Sequence, residues 1–251
     1  LIAAAAPSAA VELFSLLREE CGDRISAFEI ISRRCVELVL AHIPGTREPL
    51  ARAHPWYVLA ELAEASAGGP LQSEFERAME RAGERGLVLD AAIAASGTQR
   101  AALWHIRETI PEASRAEGLL YRHDVSIPVS RIPEFIAEAG VALESAYPGA
   151  RVICFGHLGD GNLHYNCFVP GRNRDDDAAL AATDVNRTVL DVVQRFGGSF
   201  SAEHGIGQAK RGELKRYKSP VEIELMRALK NALDPRDIMN PGKVLPDDAQ
   251  G

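Results

Sequence analysis

Apolar residues recur along nearly the whole chain at helical spacing or in short solid runs, and each rhythm marks a different element. Val11, Leu13, Phe14, Leu16 and Leu17 lie between Ser8 and Gly22, which predicts a helix over 8–22 capped by Ser8, beginning almost at the first residue. A short extended piece over 25–29 leads into a second helix carrying Val36, Leu38, Val39 and Leu40. Aromatic and branched residues after Pro55 predict a strand over 56–62. A helix with charges on one side follows over 71–86, then a strand over 87–94. The stretch 98–116 places Trp104, Arg107 and Ile110 at helical spacing, and Pro111 is expected to disturb it.

Beyond this point 123–128 is extended, 131–147 is an amphipathic helix, and 151–155 and 163–169 are strands joined by a glycine-rich turn. A helix over 183–196 is stopped by Gly197 and Gly198. Ser219, Pro220 and Glu222 form a capping box with proline at the first helical position, opening a helix that runs to about 233. The charge run over 172–177 reads as a solvated loop, and the tail from Asp234 is turn-rich. Helices and strands interleave, yet several strands follow one another through short turns. That mixture predicts an α+β fold with a largely antiparallel sheet covered by helices, not a doubly wound parallel sheet.

Composition narrows the function. The 251 residues are 46% hydrophobic and 25% charged, ordinary for a soluble globular protein. A net charge of −7 and the lack of any Lys/Arg stripe argue against a nucleic-acid partner. Cys21, Cys35, Cys154 and Cys167 form no C-x-x-C pair, which makes a reducing cytosol the default. Cys154 and Cys167, in apolar runs, read as small core residues. No apolar stretch reaches the ~20 residues of a membrane span, so membrane contact is expected only through an electron acceptor. The chain begins at Leu1 without a methionine, which suggests a piece of a longer polypeptide or a trimmed N-terminus.

The chemistry concentrates in two islands, Gly156 to Asn166 and Ser201 to Gly207. The first places His164 and Asn166 two apart on a strand and so on one face, with His157 before the turn. Asp160 is read as bonding amides within the turn. The second sets Glu203 and His204 side by side, pointing apart, so that one can act as a ligand while the other faces a substrate. Two neutral imidazoles with a carboxylate commonly hold a divalent metal with coordination positions left open. Arg107 and Arg122 are suited to carboxylates.

Gly-His-Leu-Gly-Asp-Gly-Asn-Leu-His, then Glu-His-Gly-Ile-Gly, then Asp-Pro-x-x-x-Met-Asn-Pro-Gly-Lys, in that order, resemble the C-terminal half of FAD-linked 2-hydroxy acid dehydrogenases. This group includes the D-lactate and D-2-hydroxyglutarate dehydrogenases and the glycolate oxidase D subunit. The resemblance spans nearly the whole chain, including Trp104-x-x-Arg107-Glu108 and His123-Asp124-Val125-Ser126-Ile127-Pro128. It implies a ferredoxin-like antiparallel sheet under helices, serving as the substrate- and metal-binding cap over a flavin. It implies His157, His164 and Glu203 as metal ligands, His204 as general base, Arg107, Arg122 and Asn166 on the substrate, and Asn240 near the flavin. Zinc is the expected metal, with manganese next. Arg122 stands where several relatives carry lysine, and Pro111 near where some glutarate-specific relatives carry a hydroxyl residue, which argues against a 2-hydroxyglutarate preference.

The family's glycine-rich FAD-binding loop has no counterpart here, so residues 1–251 read as the cap alone, with the flavin domain absent and the isolated chain inactive. The expected whole enzyme oxidises a small D-2-hydroxy acid to the 2-keto acid; a homodimer is compatible with these features. Rival readings are a metal-dependent hydrolase, a non-haem iron oxygenase, and a non-catalytic metal- or carboxylate-binding module docking on a separate flavoprotein subunit.

Overall fold

A computed structural model describes residues 1–64, 69–171 and 178–246. The chain runs β1 (Ile2–Ala4), α1 (Pro7–Cys21), β2 (Ile25–Ser32), α2 (Arg33–His42), β3 (Trp56–Leu62), α3 (Leu71–Glu84), β4 (Asp90–Ala91) and α4 (Gly97–Ala116). It continues through β5 (Asp124–Ser126), α5 (Ile132–Ala146), β6 (Arg151–His157), β7 (Asn162–Phe168), α6 (Ala178–Arg195), α7 (Arg211–Tyr217) and α8 (Pro220–Leu233). The strands form one sheet in the order β4-β1-β3-β2-β6-β7-β5, antiparallel at every pairing.

Strand alternation splits the interior into two cores. On β7, Leu163, Tyr165 and Cys167 join the larger core beneath α1, α3, α5 and α6, where Leu13, Leu17, Phe135 and Val189 are fully buried. Each such side chain contributes roughly 2 kcal/mol of transfer free energy. On β6, Ile153 and Phe155 point the other way, into the smaller core covered by α2 and α4. Even-numbered β7 residues share that second face, and there the helical cover gives out beside His164 and Asn166. His164 and Asn166 thus lie at the uncovered end of the smaller core.

The antiparallel α+β architecture is as expected. The strand β3 and the capping box of α8 fall where the sequence places them, with Ser219 and Glu222 bonding reciprocally. All four cysteines are buried thiols.

Several details differ. A strand, β1, precedes the first helix, and Pro7 at its first turn rather than Ser8 starts α1. The extended piece after α1 is the eight-residue β2, whereas the strand expected over 87–94 shortens to Asp90–Ala91. Helix α4 passes through Pro111 unbroken. Proline costs a helix interior ~3 kcal/mol, and burial of Ile106, Ile110 and Ala113 offsets it. Ser96 caps the start by accepting the Gln99 N–H at 3.2 Å, and Glu61 accepts the Trp104 indole N–H at 2.6 Å. The charge run at 172–177 lies outside the described residues, and α7 had no expected counterpart.

Candidate active site

Sheet register assembles half of the site. Glu29 of β2 lies directly opposite His157 of β6, Phe155 of β6 opposite His164 of β7, and His164 opposite Asp124 of β5. Directly opposed residues of antiparallel strands share a face, with Cβ atoms about 5 Å apart. Glu29 and His157 therefore share one face of the sheet with Phe155, His164 and Asp124, in two neighbouring rungs beside α4, and Asn166 lies on the same face two residues from His164. The β6–β7 connection depends on Gly161, whose φ of +81° and approach to the Ile127 carbonyl leave no room for a Cβ. Asp160 accepts the Asn162 N–H at 3.1 Å, the turn-bonding role expected of it.

The other half arrives on a loop. Ser199 exchanges backbone hydrogen bonds with Ser126 at the end of β5, at 2.9 and 3.0 Å. Three residues on, Asp124 Oδ2 accepts the backbone N–H groups of Ala202, Glu203 and His204 at 3.2, 3.1 and 2.9 Å. A carboxylate gathering three successive amides holds the loop against the sheet edge. Asp124 is buried, and its Oδ1 has no protein partner among the described residues.

The two halves meet. His164 Nε2 lies 3.2 Å from Glu203 Oε1, and His157 Nε2 lies 3.6 Å from Glu203 Oε2. His204 stacks on His164 with ring centroids 5.6 Å apart, its Nε2 3.7 Å from Glu203 Oε1 and its Nδ1 3.6 Å from Asp124 Oδ2. The tightest donor group is Asp124, His164, Glu203 and His204, with ligand atoms within 4.8 Å of one another. Its membership differs from the sequence expectation: His157 lies outside it, while Asp124 and His204 are inside. Three amides engage Asp124 Oδ2, which gives that oxygen the role of holding the loop, and leave Oδ1 without a protein partner among the described residues.

The donors suit a divalent metal. Burial, with the nearby Arg107 charge second, lowers the His164 pKa and so favours the neutral ring, the form a metal requires.

These groups open on a cleft of about 700 Å³ whose wall also carries Arg107, Arg115, Arg122, Asn166 and Lys210. Arg107 gives its Nε–H to Glu29 Oε2 at 2.6 Å and lays its guanidinium over the Phe155 ring at 4.7 Å. Arg122 lies exposed at the cleft wall. Asn166 Oδ1 accepts the His123 backbone N–H at 2.9 Å, which turns Nδ2 away as a donor. His123 is buried, its Nδ1–H donating to the Tyr165 carbonyl at 2.7 Å, and burial pushes its pKa down to about 4. Asn240 stays outside the cleft, exposed in the tail with φ +50°.

Sequence reasoning missed two groups, Glu29 and Asp124. A signal existed for Glu29: it alternates with Ile31 and sits between Phe28 and Ile30 in a run apolar on both faces, where a charge must be buried and paired. Asp124 carried no such mark.

Among known proteins, the chain is 42% identical over 235 residues to "D-2-hydroxyglutarate dehydrogenase" of Xanthomonas citri pv. viticola, covering 93% of this chain and 48% of the relative. It is 35% identical over 229 residues to the mitochondrial D-2-hydroxyglutarate dehydrogenase of Arabidopsis thaliana, covering 91% of this chain and 39% of that one. The chain thus spans about half the length, or less, of these relatives. Among solved structures, a 4-ethylphenol oxidase from Gulosibacter chungangensis matches with a TM-score of 0.58 at 14% identity, over 98% of this chain and 53% of that one, a likeness of fold. The family model "FAD linked oxidases, C-terminal domain" matches residues 1–244, and the chain belongs to that family.

Proposed function

We propose that the chain is the substrate- and metal-binding part of an FAD-dependent dehydrogenase that oxidises a D-2-hydroxy acid to the 2-keto acid. The observation that carries this is the convergence of His157, His164, Glu203 and His204 in one cleft walled by guanidinium groups. The FAD-binding half lies in this reading outside residues 1–251, as a further domain or a separate subunit. His157, His164 and Glu203 would hold zinc or manganese, and the metal, when bound, supplies Lewis-acid polarisation of the substrate hydroxyl. FAD, when bound, would supply the hydride-accepting chemistry.

The chain's own groups do the rest. Arg107 and the Nδ2–H of Asn166 bind and orient the 2-hydroxy acid carboxylate. His204 takes the hydroxyl proton, a task to which imidazole is suited at neutral pH. Phe155 and the helix α4 screen the inner wall from water. Asn240, exposed in the tail, is proposed to face the flavin. Against the expectation drawn from Arg122 and Pro111, the names of the relatives point to 2-hydroxyglutarate over lactate or glycolate, and Arg122, with Arg115 as a second cation on the wall, suits a substrate with a second carboxylate.

The test is His204→Asn in the intact polypeptide with flavin reduction followed by rapid mixing. Reduction is expected to slow at least ~100-fold with FAD and metal still bound. Unchanged reduction would remove His204 as base. Metal analysis that finds neither zinc nor manganese, with turnover indifferent to chelators, would end the metal part of the reading.

A further inference from the structure

We infer that Glu29 is a positioning residue that fixes the orientation and tautomer of His157 and presents its Nε2 to the metal; this rests on the metal reading above. Glu29 is 2% exposed, at the centre of β2, and neither of its oxygens is idle. One accepts from His157 Nδ1, the residue directly opposite on β6, and the other accepts from Arg107 Nε at 2.6 Å. A carboxylate offers no donor, so the His157 nitrogen facing it must be the one bearing hydrogen. The lone pair of the neutral ring is then left on Nε2, the atom 3.6 Å from Glu203.

The Arg107 charge balances that of Glu29, so the pair can sit buried beside a neutral imidazole without a net charge in the wall. This gives Arg107 a second duty besides any carboxylate it meets. Its Nε edge is spent inward on Glu29, and its guanidinium plane is braced on Phe155. It also distinguishes the two ligand imidazoles. His164 is held by burial and by stacking under His204, whereas His157 is 42% exposed and has Glu29 as its anchoring partner. Among the candidate ligands, His157 is therefore the one whose geometry depends most on an outer-shell carboxylate, an arrangement that typically tunes metal affinity 10- to 100-fold.

The experiment uses the intact polypeptide with ¹⁵N-labelled histidine, stripped of metal and held where the rings are neutral. Two-bond ¹H–¹⁵N correlations read the tautomer of His157, identified by its loss in His157→Asn. The expected result is Nδ1–H in the unmutated protein and a shift toward Nε2–H in Glu29→Gln, whose amide keeps one accepting oxygen for Arg107 and turns a donating nitrogen toward His157. Zinc affinity, measured by chelator competition, should fall about 10- to 100-fold in the same variant. An Nε2–H ring at His157 in the unmutated protein overturns the inference without reference to any variant. So does a Glu29→Gln protein that keeps both the tautomer and the zinc affinity. If the unmutated protein takes up no zinc while the tautomer behaves as expected, the metal reading fails and the placement of His157 by Glu29 stands.

Discussion

The two islands reach the same cleft by different physics. The first is strand-borne: His157 and His164 are placed by the register of β2, β6, β7 and β5, and a one-residue slip would turn each to the opposite face. The second belongs to no helix or strand, and Asp124 holds it through three amides. Exposure separates His164 from the loop but not His157: the side chains are 13% and 42% accessible for His164 and His157, against 44% for Glu203 and 61% for His204. In the proposed site the strand wall would provide the frame, and the loop the groups that adjust to metal and substrate. The proposed ligand set, split in this way, can be weakened on one side without loss of the other, and substitutions can expose the difference.

The largest effect should come from the frame. Gly161→Ala puts a Cβ 2.1 Å from the Ile127 carbonyl oxygen in a left-handed conformation. Overpacking and backbone strain together are expected to cost about 4 kcal/mol, read from urea denaturation, with β7 itself displaced. Asp124→Asn comes next, at about 3 kcal/mol, because three amides lose a charged acceptor and one new donor must be accommodated. Its signature should be local. Amide exchange at 202–204 should accelerate and zinc affinity fall, while protection along β7 persists. Equal loss of protection in both places would mean that Asp124 holds the sheet edge and the loop alike.

Acid should act on the frame through His123. Burial depresses its pKa from 6.5 to about 4, so between those values the unfolded chain binds more protons than the folded one. Stability is then complete above the unfolded value and is lost as pH falls toward about 4, by up to about 3 kcal/mol for a shift of this size. Urea midpoints at neutral and acidic pH should show the decline, and His123→Asn should flatten it.

The difference between the islands also explains what could be read from the sequence. His164 and Asn166 are legible because period-two spacing alone puts them on one face. The capping box of α8 is legible because both partners lie within four residues. The placement of Glu203 and His204 beside His164 is not, since it depends on Asp124, some eighty positions away, and on a bridge between Ser126 and Ser199 that has no local pattern. The unbroken α4 was hidden likewise: proline is a local signal, and the burial that overrides it is tertiary.

The smallest effect sharpens the contrast. Gly205→Ala also substitutes a left-handed glycine, at φ +73°, but its Cβ would meet nothing within 4 Å. Only the conformational strain remains, about 1 kcal/mol, partly offset by the lower entropy of the unfolded alanine chain. Ser201 Oγ–H donates to the Gly205 carbonyl at 2.7 Å, a bond the substitution leaves in place. Zinc affinity should therefore be unchanged, and the urea midpoint should move by a small fraction of the Gly161→Ala shift. A Gly205→Ala loss in the intact polypeptide as large as that of Gly161→Ala would show that the open side of this loop is packed there against another part of the protein. The second island would then be part of the rigid frame, and its apparent freedom a property of residues 1–251 alone.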